Sequence, residues 1–206
     1  MAASIELLDA AGEEGLTVRA LTAHLTTGRG AIYHHVTGKE DLLAAATDAI
    51  ISTIVGTGAT RAAGEEDPRQ ALRALALGVF DAIDAHPWVG VQLSRQPQPA
   101  VLRLWGRIGA LLQDLGVTGT ALSDAGSALL SYVLGATAQY AAGARQAPDD
   151  AARKEYLTEL AAEWAGSGAD PLVHQAASGL VEHDDREQFL AGVDIFLTGI
   201  TALHST

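Results

Sequence analysis

Residues 16–43 read LTVRALTAHLTTGRGAIYHHVTGKEDLL, and the spacing of apolar residues within them decides the fold. Two short amphipathic segments, 18–25 and 29–36, are separated by Thr26, Thr27 and Gly28, a three-residue break containing glycine. In the first segment Val18, Ala20, Leu21 and Leu25 recur at helical intervals and form a core face. In the second, Ala31, Ile32 and Val36 are the apolar positions. Thr17 is a good N-cap for the first, because its hydroxyl can accept from an orphan backbone N–H. Two short helices joined by such a turn form a helix-turn-helix, whose second helix is held out to enter the DNA major groove. Thr37 and Glu40 then make a T-x-x-E capping box, which starts a further helix at about residue 38.

The side chains in this stretch suit a duplex. Arg29 stands at the N-terminal end of the second helix, the end that points into the groove. A guanidinium there can pair bidentately with guanine O6 and N7, worth ~1–3 kcal/mol of discrimination. Arg19, in the first turn of the preceding helix, can reach a phosphate or a base edge. Gly30 and Ala31 carry almost no side chain, so the helix can approach closely, and Ala31 can meet a thymine methyl. Tyr33 and His35 have polar tips suited to phosphate oxygens, and Lys39 lies at a helix N-terminus, itself an anion site. The plainer reading is that Tyr33 and His34 pack and Arg29 is a solvated surface charge.

The run GAIYHHV at 30–36, followed by KEDL at 39–42, resembles the DNA-binding domain of the tetracycline-repressor (TetR) family, close to a branch that reads GALYWHV. The resemblance covers about the first quarter of the chain and is specific because it extends through three helices at fixed spacing. It implies a transcriptional regulator with a small N-terminal reader and a larger helical C-terminal domain. It puts base and phosphate contacts on Arg19, Arg29, Gly30, Ala31, Tyr33, His35 and Lys39, and Thr17 and His34 complete the candidate DNA-binding set. The chain departs from the pattern at Thr27 and Gly28, where the branch carries an apolar residue and a serine-like cap, and at His34, which replaces a packing tryptophan. It also starts close to the first helix without an Arg/Lys arm, so fewer phosphate contacts are expected.

Charge bears on that reading. Over 206 residues the chain has 13 basic and 25 acidic side chains, a formal net charge of −12. Residues 1–56 hold three basic residues (Arg19, Arg29, Lys39) against seven acidic ones, a net of −4, where nucleic-acid binders usually carry a basic footprint. All three cations fall in the motif, and screening over ~8–10 Å hides the distant acids. Weak affinity at high salt follows.

The rest of the chain is patterned for helices alone, with no sustained β-alternation and no internal repeat. A first helix ends at Gly12–Gly15. A linking fourth helix runs from 39 to about 57, and residues 57–67, rich in Gly, Ala and Glu, mark the boundary between a domain at 1–56 and another at 57–206. Asp67-Pro68 restarts the chain as N-cap and first helical residue. Helices are expected over 68–85, 100–115, 121–145, 148 to about 165, and 189–203, with a shorter segment at 88–94. Residues 166–177 read as loop-like. The fold class is therefore all-α: a three-helix helix-turn-helix domain, a linking helix, then a bundle of five or six.

In the second domain Phe80, His86, Trp88, Gln92, Trp105, Tyr132, Gln139 and Tyr140 are candidates for a small-molecule cavity, apolar walls with a few orienting polar groups; any one of them can equally be ordinary core. HPW at 86–88 and LLSYVLG at 129–135 resemble the family's tetracycline-repressor-like C-terminal domain more loosely. The founding members hold a magnesium–drug complex through a histidine at the end of the fourth helix; the matching position is Val55, which cannot ligate metal. A small hydrophobic ligand without metal or cofactor is expected. Phe189, Val193, Phe196, Ile200 and Leu203 form one stripe on the last helix, widened by Leu190, Ile195 and Leu197, so that helix must be buried on more than one side. The family's dimer, a four-helix contact, implies a homodimer through Leu129, Val133 and Ala136 of the long helix with Phe189, Val193, Phe196 and Ile200. Such a dimer reads a pseudo-palindromic operator in double-stranded DNA with half-sites ~34 Å apart.

Other classes find little support. The chain has no cysteine, so disulfides, thiolate zinc sites and thiol catalysis are excluded. No paired carboxylates with an evident partner and no Gly-rich phosphate loop suggest an enzyme. The N-terminus lacks the pattern of a signal peptide, and no run of eighteen uncharged apolar residues suggests a membrane span; a cytoplasmic location is expected. The competing reading is an all-α small-molecule-binding or scaffold protein with weak or lost DNA binding.

Overall fold

The computed structural model describes residues 1–25, 38–59, 67–95, 99–146, 150–166, 170–182 and 184–204, and among them every regular element is a helix. In chain order these are α1 (Ala2–Gly15), α2 (Val18–Leu25), α3 (Lys39–Ala59), α4 (Pro68–Ala85), α5 (Pro87–Leu93), α6 (Pro99–Asp114), α7 (Gly119–Gln146), α8 (Asp150–Gly166), α9 (Pro171–Leu180) and α10 (Asp185–His204). The expected all-α class is what the chain adopts. The candidate recognition helix, residues 29–36, lies outside the described residues.

Local chemistry sets the helix ends. Thr17 Oγ1 accepts from the backbone N–H of Ala20 at 3.0 Å and caps α2. Asp67 accepts from Arg69 N at 3.0 Å with Pro68 in the first turn of α4, and His86-Pro87 stops that helix. Gly116, at φ 85°, closes α6: its N–H reaches the Gln113 carbonyl at 2.8 Å and the Val117 N–H reaches that of Leu112 at 3.0 Å. That is a Schellman closure, and the left-handed residue in it favours glycine. Asp184 caps α10 through the N–H of Glu187 at 2.8 Å.

One expectation needs correcting. Residues 171–180 form a helix, α9, where a loop was expected. The cause is Asp170-Pro171, whose carboxylate accepts from Leu172 N at 2.8 Å, the same aspartate–proline start as at Asp67-Pro68. The described chain beyond α3 thus has seven helices rather than five or six. α1 ends at Gly15, within the 12–15 expected, and kinks at Gly12, at φ 63° and ψ −169°.

One apolar core runs through both ends of the chain. Leu8, Leu16, Leu21, Leu42, Leu43 and Ala46 from α1–α3 join Leu72, Val79, Leu104, Leu112, Leu129, Phe189 and Val193 in a single cluster. At ~25 cal/mol per Å2 of apolar surface removed from water, this burial is the main force holding the helices together. The α8–α9 hairpin stands apart, with Leu157 and Ala177 buried between its own helices and outside that cluster. Among the described residues no helix is long and apolar enough to cross a membrane.

Candidate nucleic-acid interface and its connection to the core

Thr17, Arg19 and Lys39 are the members of the candidate DNA-binding set that the structure describes, and all three are exposed. Thr17 spends its hydroxyl on the α2 cap, Arg19 lies in the first turn of α2, and Lys39 opens α3. Arg29, Gly30, Ala31, Tyr33, His34 and His35 fall outside the described residues.

Two connections tie this end of the chain to the core. The first is α3, which packs Leu42, Leu43 and Ala46 toward the reader and then runs between α4 and α6. Asp48 accepts from Arg103 Nε at 3.1 Å and Nη2 at 3.0 Å, a bidentate bond that raises the Arg103 pKa. Farther along, Gly78 of α4 passes so close to Ile54 that a Cβ there would lie 2.8 Å from Ile54 Cγ2. Val55, the position of the family's metal-binding histidine, is half-buried against the core.

The second connection joins α1 to the segment around α5. Asp9 Oδ1 accepts from Trp88 Nε1 and lies against His86 Nδ1, both at 2.8 Å. Glu13 Oε1 accepts from Gln92 Nε2 at 2.6 Å, and its Oε2 from Arg95 Nη2 at 3.3 Å. Arg95 also pairs with Glu40 at the start of α3, at 3.5 Å. Trp88 and Gln92 are buried, at 6% and 1% exposure, so their polar ends need these acceptors. Three of the eight cavity candidates, His86, Trp88 and Gln92, therefore face α1.

The other five are dispersed. Phe80, Tyr132 and Tyr140 join Phe189 and Phe196 in an aromatic cluster: Phe80 meets Tyr140 edge-on at 5.5 Å and Phe189 at 5.0 Å, and Tyr132 stacks on Phe189 at 5.7 Å. Tyr132 donates to the Phe189 carbonyl at 3.0 Å and Tyr140 to Gln188 Oε1 at 2.9 Å. Burial raises the pKa of both phenols. Trp105 lies over Gly109 and Gly126, and Gln139 is exposed. The gap in the middle of the bundle is bounded instead by aliphatic residues the sequence did not mark out, among them Leu72, Leu75, Val79, Leu104 and Ile108, together with Leu129, Leu130 and Val133. It holds only about 10 Å3, far below the ~300–1,000 Å3 of drug-sized pockets.

The candidate dimer residues divide by face. Leu129, Val133, Phe189 and Val193, expected at the dimer contact, lie in the chain's own core at 2% exposure or less. Phe196 and Ile200 instead line a surface groove of about 490 Å3 between α7 and α10, with Ala125, Ala128, Gly199, Ile195 and Leu203. Ala136 is half-buried on α7. Ile195 and Leu203 are 72% and 75% exposed. Leu203 belongs to the apolar stripe expected on α10 and Ile195 to the residues that widen it, though neither is among the expected contact residues; Ala128 and Gly199 carry no hydrophobic signal that could have marked them.

Comparison with known proteins accounts for this architecture. The family of bacterial regulatory proteins, tetR family, matches residues 1–46, and the tetracyclin repressor-like C-terminal domain matches residues 61–204. The chain belongs to the TetR family. It is accordingly a transcriptional regulator of a DNA-binding family, and its relatives are regulators rather than enzymes. The TetR regulator SCO7222 from Streptomyces coelicolor is 44% identical, with a TM-score of 0.84 over 98% of this chain and 96% of that one. The HTH-type transcriptional repressor DrrR1 from Streptomyces coeruleorubidus is 29% identical over 137 residues, 65% of this chain. That match spans about half, 49%, of the DrrR1 sequence. The TetR-family protein ActR from Streptomyces coelicolor, solved in complex with (S)-DNPA, shares the fold at 19% identity, with a TM-score of 0.72 over 98% of this chain and 95% of that one.

Proposed function

We propose that this TetR-family chain is a cytoplasmic homodimeric repressor released from a pseudo-palindromic operator by a small hydrophobic ligand. Residues 1–56 read DNA, with Arg29 as the main base contact and Arg19, Tyr33, His35 and Lys39 on phosphates, while residues 57–206 take the ligand and pair the subunits. The observation that carries the reading is the course of α3. It begins at the reader with Lys39, and farther along it is gripped by α4 at Gly78 and by α6 at Arg103. Those two helices wall the central apolar gap. A ligand that opens the gap displaces α4 or α6, and α3 packs against both. The two readers then leave successive grooves, a population shift between two dimer geometries. That ActR was solved with a small molecule is consistent with such a pocket.

Binding to the DNA upstream of the chain's own coding region tests the reading. A sequence-specific band at low salt that disappears with Arg29→Ala is expected. No such band would favour the second reading, a helical ligand-binding protein with weak DNA affinity, which the net charge of −4 on residues 1–56 supports.

A further inference from the structure

We propose that Asp9 and Glu13 are positioning residues that set the angle of the reader on the core, and thereby the half-site spacing a dimer accepts. The inference rests on the dimeric, DNA-reading function proposed above. A reader held by α3 alone is held by one shaft and can turn about it. The contact of α1 with the segment 86–95 supplies a second attachment, away from that axis, and two attachments define an orientation.

The attachment is polar in kind. Asp9 receives the Trp88 indole N–H and faces His86 Nδ1, while Glu13 receives the Gln92 amide and the Arg95 guanidinium. Hydrogen bonds weaken steeply with distance and angle, so they fix a register that apolar surfaces sliding on each other leave open. The surrounding apolar packing is incomplete: a cleft of about 330 Å3 lies along the seam, bordered by Leu8, Pro87, Trp88 and Val91. The bonds, rather than close packing, therefore define the approach of α1 to α5.

The kink at Gly12 fits this role. The break falls between the two carboxylates, at a positive φ that favours glycine, and a Cβ added there would touch nothing within 4 Å. Space does not require glycine at this position; the backbone conformation does. The turn aims Glu13 at Gln92 and Arg95 while Asp9 stays on Trp88. Arg95 in turn bridges Glu13 on α1 to Glu40 on α3, locking the two attachments to each other.

The test uses the full chain and duplexes recovered from a random library by in vitro selection with it. Binding is then measured on the selected duplex and on versions with one or two base pairs added or removed between half-sites, each pair moving a half-site by ~3.4 Å. The unaltered chain is expected to lose about tenfold in affinity per base pair of mis-spacing. Asp9→Ala with Glu13→Ala, and separately Trp88→Phe, which deletes a donor from the core side and leaves both carboxylates, are expected to flatten that preference to about twofold. Variants that bind every spacing more weakly by the same factor would overturn the proposal, because a purely structural role lowers all affinities alike. If selection with the unaltered chain enriches no duplex, DNA reading itself fails and the positioning role with it.

Discussion

The two faces of α10 are built from similar residues and end in opposite environments. Phe189, Val193 and Leu197 are fully buried and Ile200 nearly so, all within the chain's own core. Ile195, Gly199 and Leu203, four residues apart from one another, look outward from the same helix with Ile195 and Leu203 more than 70% exposed. A helix apolar on most of its circumference needs cover on two sides, and among the described residues α4 and α7 cover only one side of α10. On the outer side a groove with Ala125 and Ala128 of α7 opposite remains uncovered. In the proposed dimer, small residues there let a second pair of helices approach closely, and an exposed apolar patch of this kind suits such an interface. Hydrophobicity alone thus does not separate core from interface; the register of each residue on the helix does.

Substitution on each face gives this contrast a measurable form. Phe189→Ala removes a ring that stacks on Tyr132 and tilts against Phe80. It is expected to cost ~3–5 kcal/mol of folding stability, read as a lower denaturation midpoint at unchanged slope. Ile195→Glu with Leu203→Glu is expected to leave helix content intact and to convert dimer to monomer, read as halved mass in light scattering. Each apolar side chain buried is worth ~1.5–3 kcal/mol, and two-fold symmetry counts both substitutions twice, so the dimer loses ~6–12 kcal/mol and dissociation rises by upward of about 10,000-fold. If the two sets exchanged phenotypes, with Phe189→Ala monomeric and the glutamates unfolded, the division of the helix into inner and outer faces would be wrong.

The same contrast explains how far the sequence could be read. Periodicity and caps suffice for most helices: Asp67-Pro68, His86-Pro87 and Gly116 stand at the ends they announce. The equivalent signal at Asp170-Pro171 was outweighed by the Gly- and Ser-containing stretch just before it, and α9 was missed. The membership of the TetR family was legible in residues 30–42, because their spacing is shared and specific. A ligand-binding set in the second domain is harder to read, for a physical reason. Of the aromatic and polar candidates, Trp88 and Gln92 spend their polar ends on α1, and Phe80, Tyr132 and Tyr140 pack on one another. The central gap is walled by leucine, valine and isoleucine, whose composition is that of any core. On α10, the apolar stripe was visible, but which edge faces inward depends on the approach of α4 and α7, information that one helix does not contain.

The smallest expected effect belongs to the inner face and concerns alkaline pH. Burial raises the pKa of Tyr132 and Tyr140, so each phenol keeps its proton to higher pH in the folded chain than in the unfolded one. Between the ordinary tyrosine value, ~10, and the raised folded value, the folded state binds more protons, and linkage makes stability fall as pH rises. Below that window both states are protonated and the contribution is fully present. Denaturation midpoints are therefore expected to be flat up to about pH 9.5 and to decline beyond it. Tyr132→Phe keeps the ring against Phe189 and removes the titrating group and its bond to the Phe189 carbonyl. It is expected to lower stability by ~1 kcal/mol at neutral pH and to make the alkaline decline shallower. The outer-face pair Ile195→Glu and Leu203→Glu leaves both phenols in place, so its monomer should retain the full slope. An equal slope in Tyr132→Phe and the unaltered chain would show that the decline originates away from Tyr132.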